Sequence, residues 1–188
     1  MTRKLTIEEM HRLTLEEFQK SPKLPLTVVL DNVRSQNNIG SVFRTADAFR
    51  VESIALCGIC STPPHREIHK TALGAEESVD WKYYSDTACC LRELREQGRF
   101  ILAVEQVDDS LLLGQPSGWL RPLMEKTASQ GVAIVMGNEV EGVQASLFQL
   151  CDASIEIPQF GTKHSLNVSC AAAIVIWELF KELRNVCL

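Results

Sequence analysis

From Leu26 onward the chain alternates short apolar runs with segments in which apolar residues recur every three or four positions. The runs cover residues 27–30 (TVVL), 53–57 (SIALC), 81–84, 100–104 (FILAV), 132–136 (VAIVM) and 153–157 (ASIEI). Most are apolar throughout rather than alternating, which is the pattern of strands buried on both faces of a parallel sheet. Between them the period becomes helical. Ile39, Val42, Phe43, Ala46 and Phe49 share one face of a first helix, and residues 68–73 predict a short helical turn. Ser85 reads as the cap of a helix reaching Gln97, with Gly98 as its stop, and residues 166–183 predict a long closing helix. Residues 1–24 stand apart as a short N-terminal helical extension. Thr6 and Glu9 have capping-box spacing, and Ile7, Met10, Leu13, Leu15 and Phe18 follow a helical stripe that Pro22 and Pro25 break. Residues 25–188 therefore predict one α/β domain, a parallel sheet with helices on both faces.

Ligands in such sheets bind beyond the carboxyl ends of the strands. Polar clusters sit at three of those places, after Leu30, after Met136 and after Ile157, so one site built from three distant segments is expected. The first cluster is NVRSQNNIGSVFR, residues 32–44. Asn38 is polar enough to cap the helix, Gly40 admits a close backbone or ligand, and Arg44 follows six residues later. A lone helix arginine is more often simply solvated. The second cluster is GNEVEG, residues 137–142, which alone would be any tight turn. The third, IPQFGTKHSLN, residues 157–167, places Ser165 where it could cap the last helix.

Composition narrows the classes. The 188 residues are 45% hydrophobic and 23% charged, enough for one substantial core. Nineteen Lys+Arg against 24 Asp+Glu give a net charge of −5, so any nucleic-acid contact must use a local basic patch. The N-terminus lacks a signal-peptide core, and no apolar run approaches the ~18 residues a membrane span needs. Seven cysteines, an odd and uneven set, predict reduced thiols in the cytoplasm. Cys57 and Cys60 form a CxxC with His65 and His69 downstream. Without a second pair the plainer reading is small core residues, not a metal or redox site. Dinucleotide, P-loop, HExxH and GxSxG signatures are absent.

Taken in order, the three clusters resemble the motifs of the SpoU/TrmH-like RNA ribose 2′-O-methyltransferases of the SPOUT superfamily. The likeness rests on Asn32, Asn38, Gly40, Arg44 and the following RTADAF, on VMGNEVEG (135–142), and on IPQFGTKHSLNVSCAAAIVIWE (157–178). KTALGAEESV (70–79) adds to it, and the resemblance spans about residues 26–184. It implies a C-terminal deep trefoil knot over about residues 130–175 and S-adenosylmethionine as cofactor, held largely by backbone at Val104, Gly137, Ile157, Ser165 and Leu166. It further implies Arg44 as the catalytic arginine, with Asn38, Glu139, Ser165 and Asn167 at the other functional positions. An arginine keeps its proton at ordinary pH, so an electrostatic role at the ribose oxygen and neighbouring phosphate is expected. His164 is an alternative base, although an exposed loop histidine is the plainer reading. No metal is implied. RNA contacts would come from Arg34, Arg66, Lys70 and Lys163, in a homodimer whose surface includes Ile174, Trp177 and Phe180 of the last helix. The RNA, transfer or ribosomal, is left open. The competing expectations are a non-catalytic RNA-binding module and an enzyme methylating a base nitrogen.

Overall fold

The computed structural model describes residues 2–6, 8–114, 119–126 and 130–187. Among them the strands are β1 (Leu24–Asp31), β2 (Val51–Cys57), β3 (Asp80–Tyr84), β4 (Arg99–Val104), β5 (Leu111–Leu112), β6 (Gly131–Met136) and β7 (Ala153–Glu156). They form one sheet in the order β3-β2-β1-β6-β4-β7-β5, with every pair parallel. The helices are α1 (Leu15–Lys20), α2 (Gln36–Ala48), α3 (Arg66–Ala72), α4 (Ala75–Ser78), α5 (Thr87–Glu96), α6 (Leu120–Lys126) and α7 (Val168–Cys187).

Both faces of the sheet are covered, which is why the central strands are apolar throughout. Val28, Leu30, Leu102, Ile134 and Met136 point to one side and pack with residues of α2, α3, α6 and α7. Their neighbours Val29, Ile101, Ala103 and Val135 point to the other and pack with Cys90, Leu91 and Leu94 of α5 and with Leu147. Leu147 lies on a 3₁₀ turn, Ala145–Leu150. The predicted α/β class and helix placement therefore hold. Among the described residues no helix is long and apolar enough to cross a membrane.

Several helix starts differ from expectation, each for a local reason. The cap of α2 is Ser35, whose Oγ accepts from the Asn38 amide at 3.3 Å, and this leaves the Asn38 side chain free. The cap of α5 is Asp86, accepting from the Cys89 amide at 2.8 Å, not Ser85. That bond to the helix amides holds the Asp86 carboxyl below its ordinary range. Asn167, not Ser165, caps α7: its Oδ1 accepts from the amides of Ser169 at 2.9 Å and Cys170 at 3.4 Å.

The single N-terminal helix is also corrected. Thr6 and Glu9 do make their reciprocal bonds, but these head only a 3₁₀ turn, Glu8–Met10, and His11 with φ +47° interrupts the path. A second capping box, Thr14 with Glu17, starts α1, and of the predicted stripe Phe18 alone is buried in the core. Ile7 lies outside the described residues. The short elements α4, α6 and β5 had no periodic signal long enough to be predicted.

Gly40 is the contact between α2 and α3. A Cβ built there would lie 2.2 Å from Thr71 Oγ1 and 2.3 Å from the Ile68 carbonyl oxygen. Gly40→Ala is therefore expected to destabilise the fold by about 1–3 kcal/mol through overpacking. This reverses the roughly 1 kcal/mol by which alanine outranks glycine in a free helix. Urea unfolding checks it, and an unchanged or raised midpoint would contradict the packing argument.

Candidate functional site

The register of the central strands sets the site. Leu30 and Val104 both pair with Met136, so β1, β6 and β4 end level with one another, and Val104 pairs with Ile155 of β7. The chain leaving each strand is thus delivered to one edge. A cavity of about 330 Å³ opens there. Its wall includes all five of the residues implied for cofactor binding: Val104, Gly137, Ile157, Ser165 and Leu166. His164 lines it too. Four carboxylates, Glu105, Glu139, Glu141 and Glu156, lie in the same wall, which contains no lysine or arginine among the described residues.

The loop after β6 is held in shape through Asn138, by its side chain and its carbonyl. Asn138 Oδ1 accepts from the amides of Val140 and Glu141 at 3.0 Å each, and its carbonyl accepts from Gly142 N–H at 3.0 Å. This folds Gly137 against Gly142 so closely that a Cβ on Gly137 would lie 2.0 Å from the Gly142 carbonyl carbon. Gly142 takes φ +67°, and a Cβ there would meet Glu105 Oε2 at 2.0 Å. Both positions exclude any larger residue. Glu105 Oε2 accepts from Val143 N–H at 3.0 Å and ties the end of β4 to the loop.

Asp31, fully buried at the end of β1, anchors the far side of that loop. It accepts from Thr87 Oγ1 at 2.6 Å, Gln144 Nε2 at 3.0 Å and Asn32 Nδ2 at 2.9 Å. A buried carboxylate with no cation beside it persists only when so many donors satisfy it. Sequence reasoning missed both Glu105 and Asp31. Each had a signal available, a single acidic residue at or just past the last position of an apolar run (FILAVE and TVVLD).

Three of the expected functional side chains are joined across the chain. Asn167 Nδ2 donates to Asn38 Oδ1 at 3.1 Å, and Asn38 Nδ2 donates to Glu139 Oε1 at 2.6 Å. One hydrogen-bonded line thus connects the start of α7, the first turn of α2 and the loop after β6, one residue from each cluster. Ser165 stands in the cavity wall beside it. Arg44 is not brought to this line. It is exposed, has no ion-pair or hydrogen-bond partner among the described residues, and opens onto a separate groove of about 710 Å³. Six positions on from Asn38, it lies about 9 Å further along the axis of α2.

The basic positions divide as well. Arg34, Arg66 and Lys163 are exposed and carry no partner among the described residues, whereas Lys70 pairs with Glu67 at 3.7 Å and His69 with Glu76 at 2.5 Å. His65 is occupied as the cap of α3. Cys57 and Cys60 are buried; Cys60 Sγ contacts the Leu30 carbonyl at 3.3 Å, and burial pushes its thiol up to about 11. These thiols behave as core. Among the described residues no group of three or more His, Cys, Asp or Glu could hold a metal ion.

Residues 25–177 match the model of the SpoU rRNA methylase family. A 23S rRNA (guanosine-2′-O-)-methyltransferase, RlmB, of Neisseria meningitidis is 32% identical over 163 residues, covering 86% of this chain and 61% of its own length. The protein of that name in Nitrosomonas europaea is 32% identical over 174 residues, covering 90% and 61%. The chain therefore spans about three-fifths of the length of these relatives. An rRNA methyltransferase from Sinorhizobium meliloti, solved with AdoMet bound, superposes with a TM-score of 0.74 at 27% identity, covering 88% of this chain and 60% of that one. The A. aeolicus TrmH/SpoU tRNA modifying enzyme has a TM-score of 0.75 at 23% identity, over 91% and 81%, a likeness of fold.

Asn167 has two separable tasks, capping α7 through Oδ1 and holding Asn38 through Nδ2. Asn167→Ala removes both and is expected to lower stability by about 1 kcal/mol. Asn167→Asp keeps the acceptor and adds a favourable charge at a helix N-terminus, so its unfolding midpoint should stay near that of the parent. Urea unfolding of both variants decides; equal losses would contradict the assignment of the cap.

Proposed function

The chain belongs to the SpoU rRNA methylase family, and from that premise we propose that it is an RNA 2′-O-ribose methyltransferase using S-adenosylmethionine. The observation that carries the reading is the line Asn167–Asn38–Glu139 at the rim of an acidic cavity. A cavity of this volume suits a nucleoside-sized ligand. Its four carboxylates, with no lysine or arginine among the described lining residues, suit a ligand bearing cationic sulfonium and ammonium groups rather than a phosphate. Val104, Gly137, Ile157, Ser165 and Leu166 would hold it, mainly through main-chain groups. When bound, the cofactor supplies an electrophilic methyl group.

The protein's own part is to present the ribose and stabilise charge. Asn38, fixed from both sides, offers a rigid polar surface against which the ribose is oriented, with Ser165 and Asn167 beside it. Arg44 would act as a fixed positive charge toward the oxygen and the adjacent phosphate, the role for which a guanidinium is suited. Asn38 and Arg44 lie about 9 Å apart along α2, so the substrate RNA would lie across that helix. Arg34, Arg66 and Lys163, with Lys70 at the edge of the patch, would contact the phosphate backbone of a tRNA or rRNA substrate.

The same reading extends to the assembly and the chain path. The α7 face carrying half-exposed Ile174 and Trp177, the latter 5.7 Å from Phe49 between ring centroids, suits a homodimer interface. β7 lies beyond β4, yet α7 returns to pack on β1 and α2, so residues 157–167 cross the ends of β4 and β6. That crossing supports the C-terminal trefoil knot. Residues 1–24 are read as an extension and 25–188 as the catalytic domain. Unpaired cysteines fit a cytoplasmic setting.

Methyl transfer from labelled S-adenosylmethionine to tRNA and rRNA, followed by nucleoside analysis, tests the reading. A labelled 2′-O-methyl nucleoside is expected; a base-methylated nucleoside, or no label on either RNA, would overturn it. Arg44→Ala should leave cofactor affinity unchanged and cut kcat about 10²- to 10³-fold, the cost of one transition-state charge contact. Unaltered turnover would remove Arg44 from the chemistry.

A further inference from the structure

Arg44 opens onto a groove that the activity just proposed does not by itself require. Its walls are residues 11–15 and Phe18 of the N-terminal segment on one side and the later turns of α2 with α4 on the other. Three arginines line it, Arg12, Arg44 and Arg50, and none has an ion-pair partner among the described residues. By contrast Arg3, Arg95 and Arg99 are each engaged by a carboxylate. The His11 imidazole stands in the same wall. Two acidic residues share the walls. Asp47 accepts from Ser78 Oγ at 2.5 Å, and Glu77 lies in the first turn of α4. The balance is three permanent positive charges against two negative, in a chain whose overall charge is −5.

The groove also has a direction. α2 links strands that run parallel, so it runs back across the sheet, and its last turns lie near the start of β1, where Leu24 N–H donates to the Arg50 carbonyl at 2.8 Å. The groove therefore rises from the amino edge of the sheet at Arg50 to Arg44. Asn38, at the rim of the acidic cavity, lies about 9 Å further along the same helix. A strand seated in the groove is led to the site. The acidic cavity could not take that strand, since four carboxylates repel phosphate.

We infer that this groove seats the phosphate backbone of the substrate RNA, with Arg12 of the N-terminal segment and Arg50 holding the strand on which Arg44 acts. The inference rests on the RNA methyltransferase reading and assigns the N-terminal segment a substrate-binding role. Phosphate contacts are independent of sequence, so a generic probe serves.

Binding of a fluorescein-labelled oligouridylate is measured as a function of salt for the parent chain, Arg12→Ala, Arg12→Ala/Arg50→Ala, and Arg92→Ala on the opposite face of the sheet. Each groove arginine removed should flatten the slope of log affinity against log salt by about 0.7 to 0.9. At 0.1 M salt this corresponds to a loss of about five- to eightfold per arginine. Arg92→Ala should change neither, and S-adenosylmethionine affinity should be unaltered throughout. Unchanged slopes in the groove variants, with the parent still binding RNA, overturn the groove alone. A parent that binds no RNA overturns the groove and the function together. Equal losses in Arg92→Ala, or a change of oligomeric state in the groove variants, also overturn it, the latter because the surface then belongs to a contact between copies.

Discussion

The level pairing of β1, β6 and β4 is the constraint on which the rest depends. Because Leu30, Met136 and Val104 share one register line, segments more than a hundred residues apart leave the sheet side by side. Parallel pairing also requires crossovers, and those crossovers bury both faces of the sheet. The site follows from that geometry: no loop has to search for its partners, since each is delivered to the same edge by the strand before it.

What the edge then needs is rigidity, and it comes from buried acceptors and missing side chains. Asp31 gathers Thr87 and Gln144, fastening α5 and the loop after β6 to the end of β1. Glu105 does the same from β4. Gly137 and Gly142 let the two ends of the loop touch where any Cβ would intrude. The resulting wall includes four carboxylates and a loop closed on itself through its main chain. A site of this kind leaves little trace in side-chain signatures, consistent with the absence of every standard nucleotide motif.

Much of this was legible in the residues. Unbroken apolar runs gave the parallel sheet, and their polar followers gave the place of the site. The order of the three clusters gave the family. Other features were not legible because they depend on contacts remote in sequence. Nothing in NNIG indicates that Asn38 reaches Glu139 and Asn167 instead of capping its own helix, because Ser35 does the capping. The contact that occupies His69 depends on α3 and α4 folding as neighbours, since its partner Glu76 lies on α4. Arg44 and Asn38 lie in one motif. Six residues of helix nevertheless turn Arg44 toward a different groove.

In the proposed site the main chain of the strand-end loops forms the methyl donor's seat, and Gly137 is its most sensitive position. Calorimetric titration of S-adenosylmethionine into the parent chain and Gly137→Ala, with far-UV circular dichroism to confirm the fold, measures it directly. A backbone overlap as close as 2.0 Å must displace the loop, so saturable binding to the parent and at least about a tenfold loss in the variant with its fold intact are expected. Equal affinity in a folded variant, or no binding to the parent, would contradict it.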